Sequence, residues 1–188
     1  MLDFTGVKAI TIPEGKVKKI TRKSDGAVLW KSGYKNWMKY STEADGKTIY
    51  NGGLGYKNGY RIRSGGAESE STNASCTGFI PFKKGDKLYI YPPFEGLNTQ
   101  NAINFADKTF TNLGQVVDTG GGYGICSSKP SAFKTSVING VSVLDLSENT
   151  VQGVENIAYV RVTNNLLNSL GITSGADMII TKNEEIPV

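Results

Sequence analysis

Histidine is absent from all 188 residues. That removes the commonest general base near neutral pH, the Ser–His–Asp and Cys–His arrangements, and every metal site that needs an imidazole. Cysteine is scarce, with only Cys76 and Cys126 and no CxxC. Two thiols cannot build a four-ligand thiolate centre. Cys76 shares sequence parity with Ile80 and Phe82 and reads as a small buried hydrophobe, while a Cys76–Cys126 disulfide stays open. No apolar run approaches the roughly 18 residues of a membrane span. The start MLDFTGVKAITIPEG has an acid at position 3 and lacks a secretory signal's basic start and apolar stretch. The expectation is a soluble chain with no membrane insertion and no export signal of its own. Charge is thin too: 21 Lys and Arg against 17 Asp and Glu leave +4, with basic residues gathered only at KVKK, TRK and Lys83–Lys84. Nucleic-acid binders concentrate their positive charge, so none is expected as a partner.

Phosphate-binding loops are missing as well. TGGGYG is not followed by the Gly-Lys-Ser/Thr of a P-loop, and in GGLGYKNG the third glycine falls one place late, at Gly59, for a dinucleotide fingerprint. No DxDxD-type loop offers calcium ligands, so neither metal nor cofactor is expected. Paired carboxylates alone could hydrolyse a glycoside. The acids, however, fall at turns (Asp86, Asp107, Asp177) or in GGAESESTNAS, where Glu68 and Glu70 read as part of an exposed mobile loop.

What the chain has is glycine, 23 residues, and short alternating segments. A chain this long buries roughly 70% of its unfolded surface and needs no staple. VKAITI alternates, and KVKKIT leads through the Asp25–Gly26 turn into AVLW as a hairpin. After the linker-like KSGYKN, strands are expected at 60–63, 75–82, 87–91, 102–106, 109–113, 141–146, 156–163 and 178–181. Asp107–Lys108 makes a tight hairpin between two of them. NNLLNSLG, from Asn164, is the one candidate helix, capped at Gly171. The pattern predicts an all-β, jelly-roll-like β-sandwich over 34–188, with a small N-terminal β-hairpin appendage or docking segment over 1–33.

Parity along three strands raises the functional question. With Leu88 and Ile90 inside, Tyr89 and Tyr91 face out; with Val160 and Val162 inside, Tyr159 and Arg161 face out; opposite Ile62 lie Arg61 and Arg63. One outer face would interleave tyrosines and arginines. Aromatic rings stack on the C–H faces of sugars and guanidinium forks donate to hydroxyls, so Arg61, Arg63, Tyr89, Tyr91, Tyr159 and Arg161 are the candidate ligand residues. The appendage or a neighbouring subunit covering those rings is the competing reading. A second aromatic group, Tyr34, Trp37, Tyr40, Tyr50, Tyr56 and Tyr60, fits either an adaptable recognition surface or plugs closing one end of the sandwich.

The string YNGGLGYKNGYRIRSGGAESESTNASCTGFIPFKKGDKLYI resembles a segment of tail- and baseplate-associated proteins from phages and prophages of Gram-positive gut bacteria, with the elements GYKxGYRIxSxGxE and TGFIPxKxGDxIxI, Leu88 replacing one isoleucine of the latter. INFADKTF, NIAYVRVT and GADMIITKNEEI are similar to later strands of that family, and ITIPEGKVKKITRKSDGAVLWK to a segment preceding it. The resemblance implies a non-enzymatic jelly-roll protein of the virion tail, made in the bacterial cytoplasm and released by lysis. It further implies other tail subunits as partners, a homo-oligomer, and a place near the tip, where related modules bind host-surface polysaccharide. It carries no ligand residues over. A purely structural subunit without ligand, and a carbohydrate-active enzyme using paired carboxylates, are the alternatives.

Overall fold

The computed structural model describes residues 19–21, 28–31, 35–39, 55–94, 101–117, 122–124, 134–146, 153–166 and 170–186. The chain divides into two compact units, Met1–Tyr34 and Lys35–Val188. In the first, β1 (Lys19–Thr21) pairs antiparallel with β2 (Val28–Lys31), placing Lys19 opposite Lys31. The strand expected over VKAITI and the Asp25–Gly26 turn lie outside the described residues.

The second unit carries β3 (Tyr56–Ile62), β4 (Glu68–Thr77), β5 (Ile80–Pro81), β6 (Lys87–Tyr91), β7 (Ala102–Ala106), β8 (Asn112–Val117), β9 (Gly122–Gly124), β10 (Lys134–Ile138), β11 (Val141–Asp145), β12 (Tyr159–Asn165) and β13 (Ile179–Lys182). They form a small sheet ordered β10-β11-β6-β13 and a larger one ordered β3-β4-β12-β7-β8-β9, with β5 beside β12. After β4 the chain passes back and forth between sheets: β6 in the small one, β7 to β9 in the large, β10 and β11 small, β12 large, β13 small. This is an all-β sandwich of jelly-roll type, built from antiparallel pairs.

Period-two alternation fills the space between the sheets. Leu88 and Ile90 of β6, Leu144 of β11 and Ile180 of β13 meet Ile103 and Phe105 of β7, Val160 and Val162 of β12, and Ile80 of β5. All are almost wholly buried, and their neighbours Lys87, Tyr89 and Tyr91 point the other way. At one end Asn36, Trp37 and Met38 close the core, so Trp37 is a plug rather than a recognition residue. Lys35 caps its ring, Nζ lying 3.8 Å from the centroid. Tyr34, Tyr40 and Tyr50 lie outside the described residues.

Four expectations need correction. GGAESESTNAS is no loop: Glu68–Thr77 is the ten-residue β4, because serine and threonine pair comfortably across strands once a partner strand exists. The strand expected over 109–113 begins at Asn112, since Asp107 organises residues 107–111 as a turn. Asn164 and Asn165 extend β12 instead of starting a helix, Asn164 pairing with Ser75 and Asn165 with Ala74. Finally, Cys76 is buried but does not share a face with Ile80. Cys76 opposes Thr163 while Ile80 opposes Val160, a one-residue register change between β4 and β5 that flips the parity. Cys126 lies outside the described residues.

Candidate functional site

The outward row of the large sheet is polar and buried. Arg161 of β12 pairs with Asn104 of β7, which pairs with Gln115 of β8, and each is at most 6% exposed. Their cover is the distal half of the β3–β4 hairpin. Thr163 Oγ1 accepts the Ile62 amide (3.0 Å), Gln115 Nε2 donates to the Ile62 carbonyl (3.0 Å), Asn104 Nδ2 to the Arg63 carbonyl (2.9 Å), and Asn112 Nδ2 to the Ser64 carbonyl (2.8 Å). Side-chain amides thus take up the backbone groups of a strand end that crosses the sheet instead of extending it. Glu68, on the same hairpin, accepts from Arg161 Nη2 and from Lys57 Nζ, the latter at 3.2 Å. Arg161 Nε donates to the Thr77 carbonyl at 3.1 Å. Every residue of β7 is buried because this strand is covered on both sides.

The hairpin leaves an aromatic group uncovered at its edge. Phe110 and Tyr159 stack with centroids 4.7 Å apart and an interplanar angle of 26°, and Phe79 leans on both at 5.0 and 5.9 Å. The Arg161 guanidinium carbon lies 4.9 Å from the Phe79 centroid, so the partly buried ion pair also steadies this ring. All three rings are half-buried. The crevice beneath, about 30 Å³, has room for one water, so anything larger must lie on the rings.

Phe110 is held there in a conformation an aromatic residue rarely takes, φ 63°. Its turn is fixed from the side by Asp107, whose Oδ1 accepts from the Thr109 amide (2.8 Å), the Thr109 hydroxyl (2.7 Å) and the Thr111 amide (3.0 Å). The Thr109 hydroxyl, helped by the Thr111 and Thr109 amides and the Lys108 charge, holds the Asp107 carboxyl below its ordinary 3.8 against the opposing effect of desolvation. A depressed carboxylate contributes its stability above the unfolded value and loses it as pH falls through the folded one. The turn is therefore expected to keep its geometry at pH 4 and loosen only below that. NMR titration of the Asp107 carboxyl is the check, and a midpoint above 3.8 would contradict the hydrogen-bonded geometry.

On the other side of the core, the outer face of the small sheet is partly closed by the C-terminal residues. The Thr181 hydroxyl donates to the Glu184 carbonyl, and Ile186 packs near Val141 and Val143, valines that face away from the core yet are at most 5% exposed. A groove of about 230 Å³ remains over Tyr89. Burial, the Glu185 charge and, less strongly, that of Asp145 raise the Tyr89 hydroxyl above its ordinary 10.0 against the opposing pull of Lys87.

The six candidate residues do not form one face. Tyr89 and Tyr91 lie outside the small sheet, Tyr159 and Arg161 outside the large one, and Arg61 and Arg63 on the hairpin over the large sheet; the core separates the first pair from the rest. Alternation within each strand is as expected, but period-two parity carries no information about which sheet a strand joins. Arg161 is a clamp for the hairpin rather than an exposed donor. Arg63 is exposed. Arg61 Nε and Ser69 Oγ, from opposed hairpin residues, are buried without a hydrogen-bond partner among the described residues. No group of three or more metal-ligating side chains occurs among the described residues. None of their helices is long and apolar enough to cross a membrane.

No known protein family, curated protein or solved structure matches the chain. The residues that complete the aromatic group, Phe79 and Phe110, were legible only in part. Phe79 is the large residue on the parity of CTGFIPF opposite Ile80 and Phe82, a signal the sequence carries, whereas Phe110 occupies the turn position where glycine or asparagine is the usual choice and gives none.

Proposed function

We propose that this chain is a non-enzymatic structural module of a phage or prophage tail that holds host-surface saccharide on the aromatic group Phe79, Phe110 and Tyr159. The observation carrying the ligand half is Phe110. The turn asks for a left-handed residue that glycine or asparagine supplies with less strain, and an aromatic ring there, half-exposed and stacked beside two further rings, is a choice that the turn alone does not require. The tail assignment draws its support from the GYKxGYRI and TGFIP elements and from a jelly-roll sandwich of the kind they imply. The missing histidine fits a binding rather than a catalytic role.

Titration calorimetry with wall polysaccharide from Gram-positive gut bacteria tests the reading. Phe110→Gly relieves about 1–2 kcal/mol of left-handed strain. It loses a stacking contact of about 0.5–1.5 kcal/mol and part of a ring's burial. Stability is thus expected to stay within about 1 kcal/mol, while saccharide affinity drops at least about tenfold, the equivalent of 1.4 kcal/mol. Unchanged affinity in Phe110→Gly, or no binding by the parent chain, overturns the ligand half and leaves the scaffold reading. Val137 and Ile138, 60% and 53% exposed at the β10–β11 turn, favour a contact with another subunit, which solution mass would register as an oligomer.

A further inference from the structure

The hairpin that covers the large sheet has a second face, and that face is basic. Ile62 is buried and Glu68 reaches Arg161, so both point toward the sheet. Alternation sends Arg61 and the residue opposed to it, Ser69, to the other side. Arg63 donates its amide to the Ala67 carbonyl at 2.8 Å, which carries the ladder one residue further and keeps it on the Arg61 side. Arg61 is half-buried and Arg63 exposed, and neither guanidinium joins an ion pair among the described residues. The two acids of the hairpin, Glu68 and Glu70, share the parity that faces the sheet, and Glu68 is held by Arg161 and Lys57. Two atoms of the basic face, Arg61 Nε and Ser69 Oγ, are buried without a hydrogen-bond partner. Buried polar groups ordinarily find one, so two unpaired neighbours ask what would bond both. A guanidinium Nε can only donate and a serine hydroxyl can donate too, so the shared partner is an acceptor. Opposed Cβ atoms lie about 4.5–5.5 Å apart, and Arg63 follows Arg61 at about 6–7 Å along the strand, close enough for all three side chains to converge.

We propose that this face of the hairpin is a binding site for a phosphate group. Arg61 Nε and the Ser69 hydroxyl donate to its oxygens from one side, and the Arg63 fork donates from the other. A carboxylate offers two oxygens, which one guanidinium satisfies; two arginines and a hydroxyl fit the larger oxyanion. The group can arrive free or on a phosphorylated saccharide, the latter agreeing with the function proposed above. Inorganic phosphate reads the site without any sugar, so it stands or falls apart from the aromatic group.

The test is an NMR titration of the full chain at low ionic strength, following the Arg61 Nε–H signal and the Ser69 amide. Inorganic phosphate is expected to move both with a dissociation constant on the order of 1 mM, as befits so small a ligand. Glucose phosphate is expected to bind at least as tightly, acetate at least about tenfold more weakly, and glucose is expected to leave both signals in place. Arg63→Gln, at an exposed position, and Ser69→Ala, which deletes an unpaired hydroxyl, should each weaken phosphate severalfold with thermal unfolding unchanged. Arg61→Lys keeps the charge without the Nε donor and should weaken it as well. Equal binding of acetate overturns phosphate as the ligand class, and full affinity in Arg61→Lys overturns the role of Nε. If neither signal moves at any phosphate concentration, the site itself is overturned. Shifts by glucose phosphate confined to Phe79, Phe110 and Tyr159 overturn this site while supporting the aromatic one.

Discussion

Exchanging Arg161 for leucine is expected to lower the stability of the sandwich by about 3 kcal/mol, near the bottom of the range for breaking a buried ion pair because Arg161 is buried but Glu68 is only partly so. Three losses combine. Glu68 keeps Lys57 at 3.2 Å but loses its stronger, buried partner; the Thr77 carbonyl loses its 3.1 Å donor; and Phe79 loses the guanidinium against its face. Leucine restores part of the volume, and Glu68 retains some contact with water, which together keep the cost from reaching 5 kcal/mol. In a chain of this length the melting temperature should fall by roughly 6–12 °C, at about 2–4 °C per kcal/mol. The damage should be local first. Hydrogen exchange at Ile62, whose amide is held by Thr163 Oγ1, should quicken before that at Leu88 in the core. Glu68→Gln in the same background should add less than it costs alone, because the two groups act on one another. A loss under about 1 kcal/mol would place the pair with ordinary surface ion pairs and remove the clamp from the account of the hairpin.

That clamp also shows where the sequence stopped being informative. The core alternation of KLYIY and IAYVRV was plain from residue types, since Leu88, Ile90, Val160 and Val162 have no other place to go. The Asp107 hairpin was plain for the same local reason, a carboxylate able to cap its own turn. What residue types do not encode is a third layer. Arg161, Asn104, Gln115 and Thr163 look like solvent-facing residues in any one strand, and their burial depends on contacts with hairpin residues 62, 63, 68 and 77, which lie 41 to 101 positions away in the chain. The same holds for Val141 and Val143. The apolar run VSVLDL is readable as a strand, but its outward valines are buried in company that includes Ile138, Tyr89 and, from far along the chain, Ile186. Among the described residues, the second face of the sheets is therefore covered in part by the domain's own segments, while the aromatic edge and the Tyr89 groove stay accessible.

Asn36→Ala is expected to be about as costly as the loss of Arg161, again about 3 kcal/mol, for a different reason. β13 is the last strand of the small sheet, and its outer edge would otherwise present unpaired backbone groups. The Asn36 side chain stands in for a neighbouring strand: Nδ2 donates to the Met178 carbonyl at 3.0 Å while Oδ1 accepts the Ile180 amide at 3.0 Å. The same oxygen accepts the Met38 amide at 3.1 Å, joining the end plug to the edge. With the side chain only slightly exposed, alanine leaves three backbone groups without that partner, each costing about 1–3 kcal/mol less whatever water recovers. Asn36→Asp separates this mechanism from simple loss of packing. Its ionised carboxylate turns a second acceptor on the Met178 carbonyl, and burial raises its pKa. The protonated acid can donate there, so the deficit relative to the parent chain should be largest at neutral pH and shrink as pH falls through the raised pKa. Denaturant unfolding of both variants at pH 7 and near pH 4 checks this. A deficit for Asn36→Asp that is the same at both values would mean the amide fills space at the edge of β13 and does not pair with it.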